Sequence, residues 1–160
     1  MAYDARTVAN EFIKTAQASG KLLTNMQLQK LVYIAHGYSL AILHRPLLRQ
    51  PVEAWRYGPV IPVLYDALRQ YGAGYVTEPI NFLPSETLSD TDRALVATVA
   101  TAYSRFSGPQ LATMTHKNGT PWHEVYDAQE FFHNTDIPDA LIEQHYTALL
   151  NERAGIQAPA

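Results

Sequence analysis

The segment Leu23-Thr24-Asn25-Met26-Gln27-Leu28 constrains this chain more than any other, because it holds a complete helix start. Thr24 stands where an N-cap accepts from the N3 amide, Gln27 at N3 can answer to the cap amide, and Leu23 and Leu28 occupy the two positions of a hydrophobic staple. Behind this start, Leu28, Leu31, Val32, Ala35, Tyr38, Ser39 and Ile42 recur at helical spacing until about Leu43, and Pro46 bars continuation. The same grammar returns along the chain. Asp4 opens a helix carrying Ala5, Val8, Ala9, Phe12, Ile13 and Ala16, ended by Gly20. Ser89, with Asp92 at N3 completing a box, opens another through Leu95, Val99, Ala102, Tyr103 and Phe106. Ser107-Gly108-Pro109-Gln110 is a further box, and Thr120-Pro121-Trp122 a further start. After a polar bend at Phe132 to Asp136, Pro138 opens a last helix whose Leu141, Ile142, His145, Tyr146, Leu149 and Leu150 face inward. These patterns predict a mainly α fold, a compact single-domain bundle of about six to seven helices, over residues 1–153 with a frayed tail at 154–160.

Between the second and third helical patterns lies Glu53-Ala54-Trp55-Arg56-Tyr57-Gly58-Pro59-Val60. Val52 to Tyr57 is too short for a free helix and reads as a strand. The loop 73–86 offers a second short strand near Val76 to Ile80 as its partner, which would make a two-stranded β element. The intervening helix would begin at Pro59 or Val60, because Pro59 and Pro62 are both tolerated in a first turn, and run through Leu64 and Leu68 to Gly72. Trp, Arg and Tyr are the residues that dominate interface hot spots, so Arg56 and Tyr57 are candidate contacts. The plainer reading, which also stands, has Trp55 and Tyr57 alternating inward to fill core while Arg56 points out. Gln29 and Lys30 fall at the edge of the buried stripe, where Lys30 is a third candidate contact. Gly37 inside a helix costs about 1 kcal/mol relative to Ala. Close approach by another helix or by the Trp55 segment would compensate.

At 160 residues the chain can bury a continuous core without help from metal or disulfides, and it has no cysteine. A reducing cytoplasm fits that composition. The start, Met1 to Arg6, lacks the basic end and apolar run of a signal peptide, and no apolar stretch approaches the roughly 18 residues of a membrane span. The net charge of -3 is unevenly distributed. Residues 1–80 carry 8 basic and 5 acidic groups, residues 81–160 carry 4 and 10. Between 117 and 152, seven acids (Glu124, Asp127, Glu130, Asp136, Asp139, Glu143, Glu152) face Lys117 alone, which would repel a phosphate backbone. Nucleic-acid binding by this chain without a partner is therefore disfavoured.

An enzyme would have to use His116, His123, Glu124, His133 or His145. His116 and His123 are separated by a Lys-Asn-Gly-Thr-Pro turn rather than set four apart on a helix, so the HExxH zinc geometry is absent. GxSxG, P-loop and GxGxxG patterns are missing as well. No catalytic residue, metal site or cofactor is expected. His116 is assigned to the free carbonyls at a helix C-terminus. Trp122, after Pro121, is expected to cover the core with its indole N–H tied to backbone.

Three stretches together resemble the Panacea domain, the SocA-like family of phage-associated and bacterial antitoxins. The first is Leu28-Gln29-Lys30-Leu31-Val32-Tyr33-Ile34-Ala35-His36-Gly37-Tyr38, the second the segment 53–60, and the third Thr115-His116 followed by Pro121-Trp122. Ile137 and the helix of Tyr146 fit the usual C-terminal end. The resemblance spans most of the chain and implies a mostly helical single-domain antitoxin of a toxin–antitoxin system that neutralises a cognate toxin protein by binding it. Residue chemistry, not the resemblance, places the expected toxin contact around Lys30, Arg56 and Tyr57, where the second helix and the Trp55 segment should meet beside Gly37, on a platform built from Gln29, Gly37, Trp55, Gly58, Pro59, His116, Pro121 and Trp122. Some relatives instead deliver a partner to a protease, and others carry an appended DNA-binding module for which this chain has no spare length. A proteolytic adaptor and a transcriptional regulator are thus the alternatives.

Overall fold

The computed structural model describes residues 2–128 and 134–157. Glu130, Phe132, His133 and the last three residues of the tail lie outside the described residues. The helices among the described residues are α1 (Ala5–Ala18), α2 (Asn25–Tyr38), α3 (Pro62–Leu68), α4 (Asp90–Tyr103), α5 (Gly108–His116), α6 (Pro121–Ala128) and α7 (Asp139–Gln157). Among the described residues five short strands, β1 (Leu23–Thr24), β2 (Glu53–Trp55), β3 (Gly58–Val60), β4 (Tyr75–Val76) and β5 (Thr135–Asp136), form two small antiparallel sheets, β1-β4 and β3-β2-β5. None of the described helices is long and apolar enough to cross a membrane.

The boxes at Thr24/Gln27 and Ser107/Gln110 close as expected, each cap oxygen accepting from the N3 amide and each glutamine accepting from the cap amide. The start at Ser89 differs. Its hydroxyl accepts from the Asp92 amide, but the Ser89 amide donates to the Tyr3 hydroxyl instead of to Asp92. The buried Asp92 carboxylate collects Tyr3 Oη, Ser89 Oγ and Arg45 Nη2 at 2.8–2.9 Å. Burial alone would push that carboxyl up, yet these donors hold it below the usual value.

α2 is the axis of the molecule, and it carries no polar stripe at its middle. Every residue from Leu28 to Tyr38 is buried, because α1, α4, α5, α7 and β3 pack around it. Gln29 and Lys30 are therefore inside, not at the edge of a stripe. The helix continues past Tyr38 as a π-helical turn, Ser39–Leu43, and stops at His44 in the left-handed conformation. Its buried polar side chains serve the irregular segment that follows. His36 Nδ1 accepts from the amides of Leu47 and Leu48, Ser39 Oγ donates to the Arg45 carbonyl, and Gln29 and Lys30 hold residues 59–61. Gly37 is packed by a helix and not by the Trp55 segment. A Cβ there would collide with the ring of Tyr146 on α7, which lies edge-on to Tyr33 and Tyr38.

The β pairing also differs from the sequence expectation. Tyr75–Val76 pairs with Leu23–Thr24, while β2 pairs with β3 immediately after it and with β5. Pro59 is accordingly a strand residue opposite Ala54, and α3 starts at Pro62 with Ile61 as N-cap. A two-residue connection lets β2 and β3 pair as a local hairpin, and β5 joins the other edge of β2.

Candidate functional site

Pairing of Trp55 with Gly58 leaves Arg56 and Tyr57 as the two-residue tip of the β2-β3 hairpin. A tip has no core side, so Arg56 is exposed and Tyr57 is 68% exposed, with the guanidinium 5.3 Å from the Tyr57 ring centroid. The inward strand residue is Ala54, fully buried. The alternation is thus one residue out of step with the reading that put Trp55 and Tyr57 in the core. Trp55 is half-buried at the rim, donating from Nε1 to Glu53 at 2.9 Å and lying 5.0 Å from the ring of Tyr65. Gly58 has φ +123°, a conformation that side-chain-bearing residues rarely adopt, and a Cβ there would sit 3.0 Å from the end of the Lys30 side chain.

A two-stranded hairpin of this length is marginal alone. Three buried groups grip its backbone. Lys30 Nζ donates to the Pro59 carbonyl at 2.8 Å, Gln29 exchanges two hydrogen bonds with Ile61, and Trp122 Nε1 donates to the Trp55 carbonyl. Trp122 is 7% exposed, stacks on Tyr126 and meets His116 edge-on, as expected of a core cover tied to backbone. Thr120 caps α6, which begins at Pro121, by accepting from the His123 amide. His116 ends α5, at the helix C-terminus where the sequence places it, but its Nδ1 has no hydrogen-bond partner among the described residues, and its ring meets that of Trp122 edge-on.

In front of the hairpin runs a groove of about 1070 Å³. Its walls are the start of α2, the hairpin, α3 with the turn after it, and the start of α5. Five of the seven large hydrophobic residues exposed among the described residues line it: Leu22, Met26, Tyr57, Tyr65 and Tyr75. So do three cations, Lys30, Arg56 and Arg69, and no carboxylate among the described residues does. Arg69 is paired with Asp66. Lys30 is 3% exposed and has no carboxylate partner among the described residues, and burial lowers its pKa to about 8.

The structure therefore brings together Gln29, Lys30, Arg56, Tyr57 and Trp55 on one groove, with Gly58 and Pro59 in the hairpin that walls it and Pro121, Trp122 and His116 behind that hairpin. It leaves Gly37 out, on the α7 side of α2. Sequence reasoning missed Leu22, Met26, Tyr65 and Tyr75. Their signal was phase: Met26 precedes the stripe begun by Leu28, and Tyr65 is out of step with Leu64 and Leu68. Among the described residues no group of His, Asp and Glu is placed to hold a metal ion.

The family model described as Antitoxin SocA-like, Panacea domain, matches residues 28–123. That span begins just before Gln29 and ends just after Trp122, so it contains the hairpin and all three groups that grip it. Antitoxin SocA of Caulobacter vibrioides (strain NA1000 / CB15N) is 33% identical over 131 residues, 76% of this chain and 70% of that protein. No solved structure matches significantly.

Proposed function

Because the chain belongs to the SocA-like antitoxins with a Panacea domain, we propose that it neutralises a cognate protein toxin by direct binding, with the groove before the β2-β3 hairpin as the contact surface. One observation carries this reading: the exposed large hydrophobics, which scatter singly on most surfaces, converge here beside three cations. Neutralisation is stoichiometric, without a catalytic step, metal or cofactor of the antitoxin's own. The hairpin tip offers an Arg and a Tyr, whose planar hydrogen bonding and large contact area suit a central anchor. The toxin is sought as the product of the adjoining gene. The test is its co-expression and co-purification with wild-type protein and with Tyr57→Ala and Arg56→Ala. Loss of growth rescue and of the complex, with melting temperatures unchanged, supports the reading. Full rescue by Tyr57→Ala and Arg56→Ala combined places recognition elsewhere, with the acidic stretch between 117 and 152 as the next to test.

A further inference from the structure

Lys30 is the least ordinary residue of the groove. A lysine side chain normally keeps its ammonium in water and buries only its stem. Here the whole side chain is inside, and the hydrogen bond it forms is to one neutral carbonyl, that of Pro59. An ammonium has three donors, and a buried charge is normally paired. The charged and titratable groups around it do not supply that pairing. The hairpin contributes Arg56, Tyr57 and Glu53, whose carboxylate is engaged by the Trp55 indole. α5 contributes His116, and α3 and its following turn contribute Tyr65 and Arg69.

Resting on the reading of the groove as the toxin-contact surface, we propose that it takes an apolar segment of the toxin carrying one acidic side chain, whose carboxylate seats on Lys30 Nζ. Leu22, Met26, Tyr65 and Tyr75 then receive the apolar neighbours of that Asp or Glu, and Arg56 closes over it from the hairpin tip. The arrangement accounts for a buried cation left without an acid: the toxin supplies the counter-charge, and the desolvation already present in the free antitoxin makes the pair strong and selective.

The test is calorimetric affinity for the product of the adjoining gene between pH 7 and 10, with wild-type protein, Lys30→Met and Tyr57→Ala, each first shown by melting to be folded. A carboxylate on Nζ raises the bound pKa above the free value near 8. Wild-type affinity should then fall towards tenfold per pH unit from about 8 to 10. Lys30→Met should bind more weakly at pH 7 and lose this component of the pH dependence. Among Asp→Asn and Glu→Gln variants of the toxin, one should weaken binding to wild type and have little further effect on Lys30→Met. If Tyr57→Ala weakens binding while the wild-type profile matches that of Lys30→Met, the acid anchor is wrong and the groove stands. If Tyr57→Ala and Lys30→Met both bind as wild type does, the groove reading has failed and the anchor with it.

Discussion

The two ends of α2 meet burial in opposite ways. Towards its C-terminus Gly37, His36 and Tyr38 each have their answer within the fold, and the group left over is neutral, the buried Tyr33 hydroxyl, which has no hydrogen-bond partner among the described residues. The space left at Gly37 is filled by the Tyr146 ring. His36 accepts two amides on Nδ1, so Nε2 carries the proton and donates to Asp139 at 2.8 Å. The Tyr38 and Tyr103 hydroxyls share a hydrogen bond of 2.7 Å, with Arg153 donating to Tyr103. Towards the N-terminus, Lys30 buries a charge against a single carbonyl, and the apolar residues beside it face water. One end is packed for stability. The other retains unmet demands, which is the expected condition of a surface that a partner completes.

The largest effect should come from breaking the satisfied end. Gly37→Leu drives a side chain into Tyr146 and should cost about 3 kcal/mol or more, ending in loss of soluble protein or a steep fall in melting temperature. Gly37→Ala combined with Tyr146→Ala should cost less than the sum of the two, because the second change removes the ring that the first one strikes. Additive losses would mean the contact is not the reason for the glycine.

At the other end the sign should reverse. Lys30 has its folded pKa lowered from 10.5 to about 8, so the folded state resists its protonation. Its contribution to stability is complete above the unfolded value and is lost as pH falls through 8. Stability should therefore rise by roughly 2 kcal/mol between pH 7 and 10, and Lys30→Met should abolish that rise. Above pH 10 the buried tyrosines act in the opposite direction. Tyr33 and Tyr146 have raised pKa values from burial, so their contribution is complete below the ordinary tyrosine pKa and is lost at higher pH. Urea melts across this range, in both proteins, are the measurement. At pH 7 Lys30→Met should be as stable as wild type or more so, while binding toxin less well.

Smaller effects separate the hairpin's grip from its tip. Trp122→Phe removes the donor to the Trp55 carbonyl together with part of a buried ring system, which should cost about 2 kcal/mol or more in urea melts. Tyr57→Ala, at an exposed tip, should stay within about 0.5 kcal/mol of wild type. A large loss on Tyr57→Ala would make the tip part of the scaffold and dissolve the contrast between the two ends.

The helices could be read in the sequence because caps and apolar phase are local signals: Thr24, Ser107 and Pro121 each announce a start by contacts within one turn. The sheet could not. Gly58-Pro59 is compatible with a turn, a helix start or a strand, and the choice was made by Lys30 and Gln29, some thirty residues away, reaching the Pro59 and Ile61 backbone. Burial of Lys30 escaped for the same reason, since α2 is surrounded on every side and a stripe of apolar residues does not reveal what covers the opposite face. The candidate contacts Arg56 and Tyr57 were found from residue type. The groove that joins them to Met26 and Tyr75 needed three segments brought together in space.

Hydrogen exchange of the antitoxin, free and bound to the product of the adjoining gene, tests the division of α2 most directly. Protection gained over residues 24–30 and 53–60, with little change around Gly37 and Tyr146, is the result the unmet demands of the groove predict. Protection confined to the acidic helices α6 and α7, with the hairpin unchanged, would contradict it.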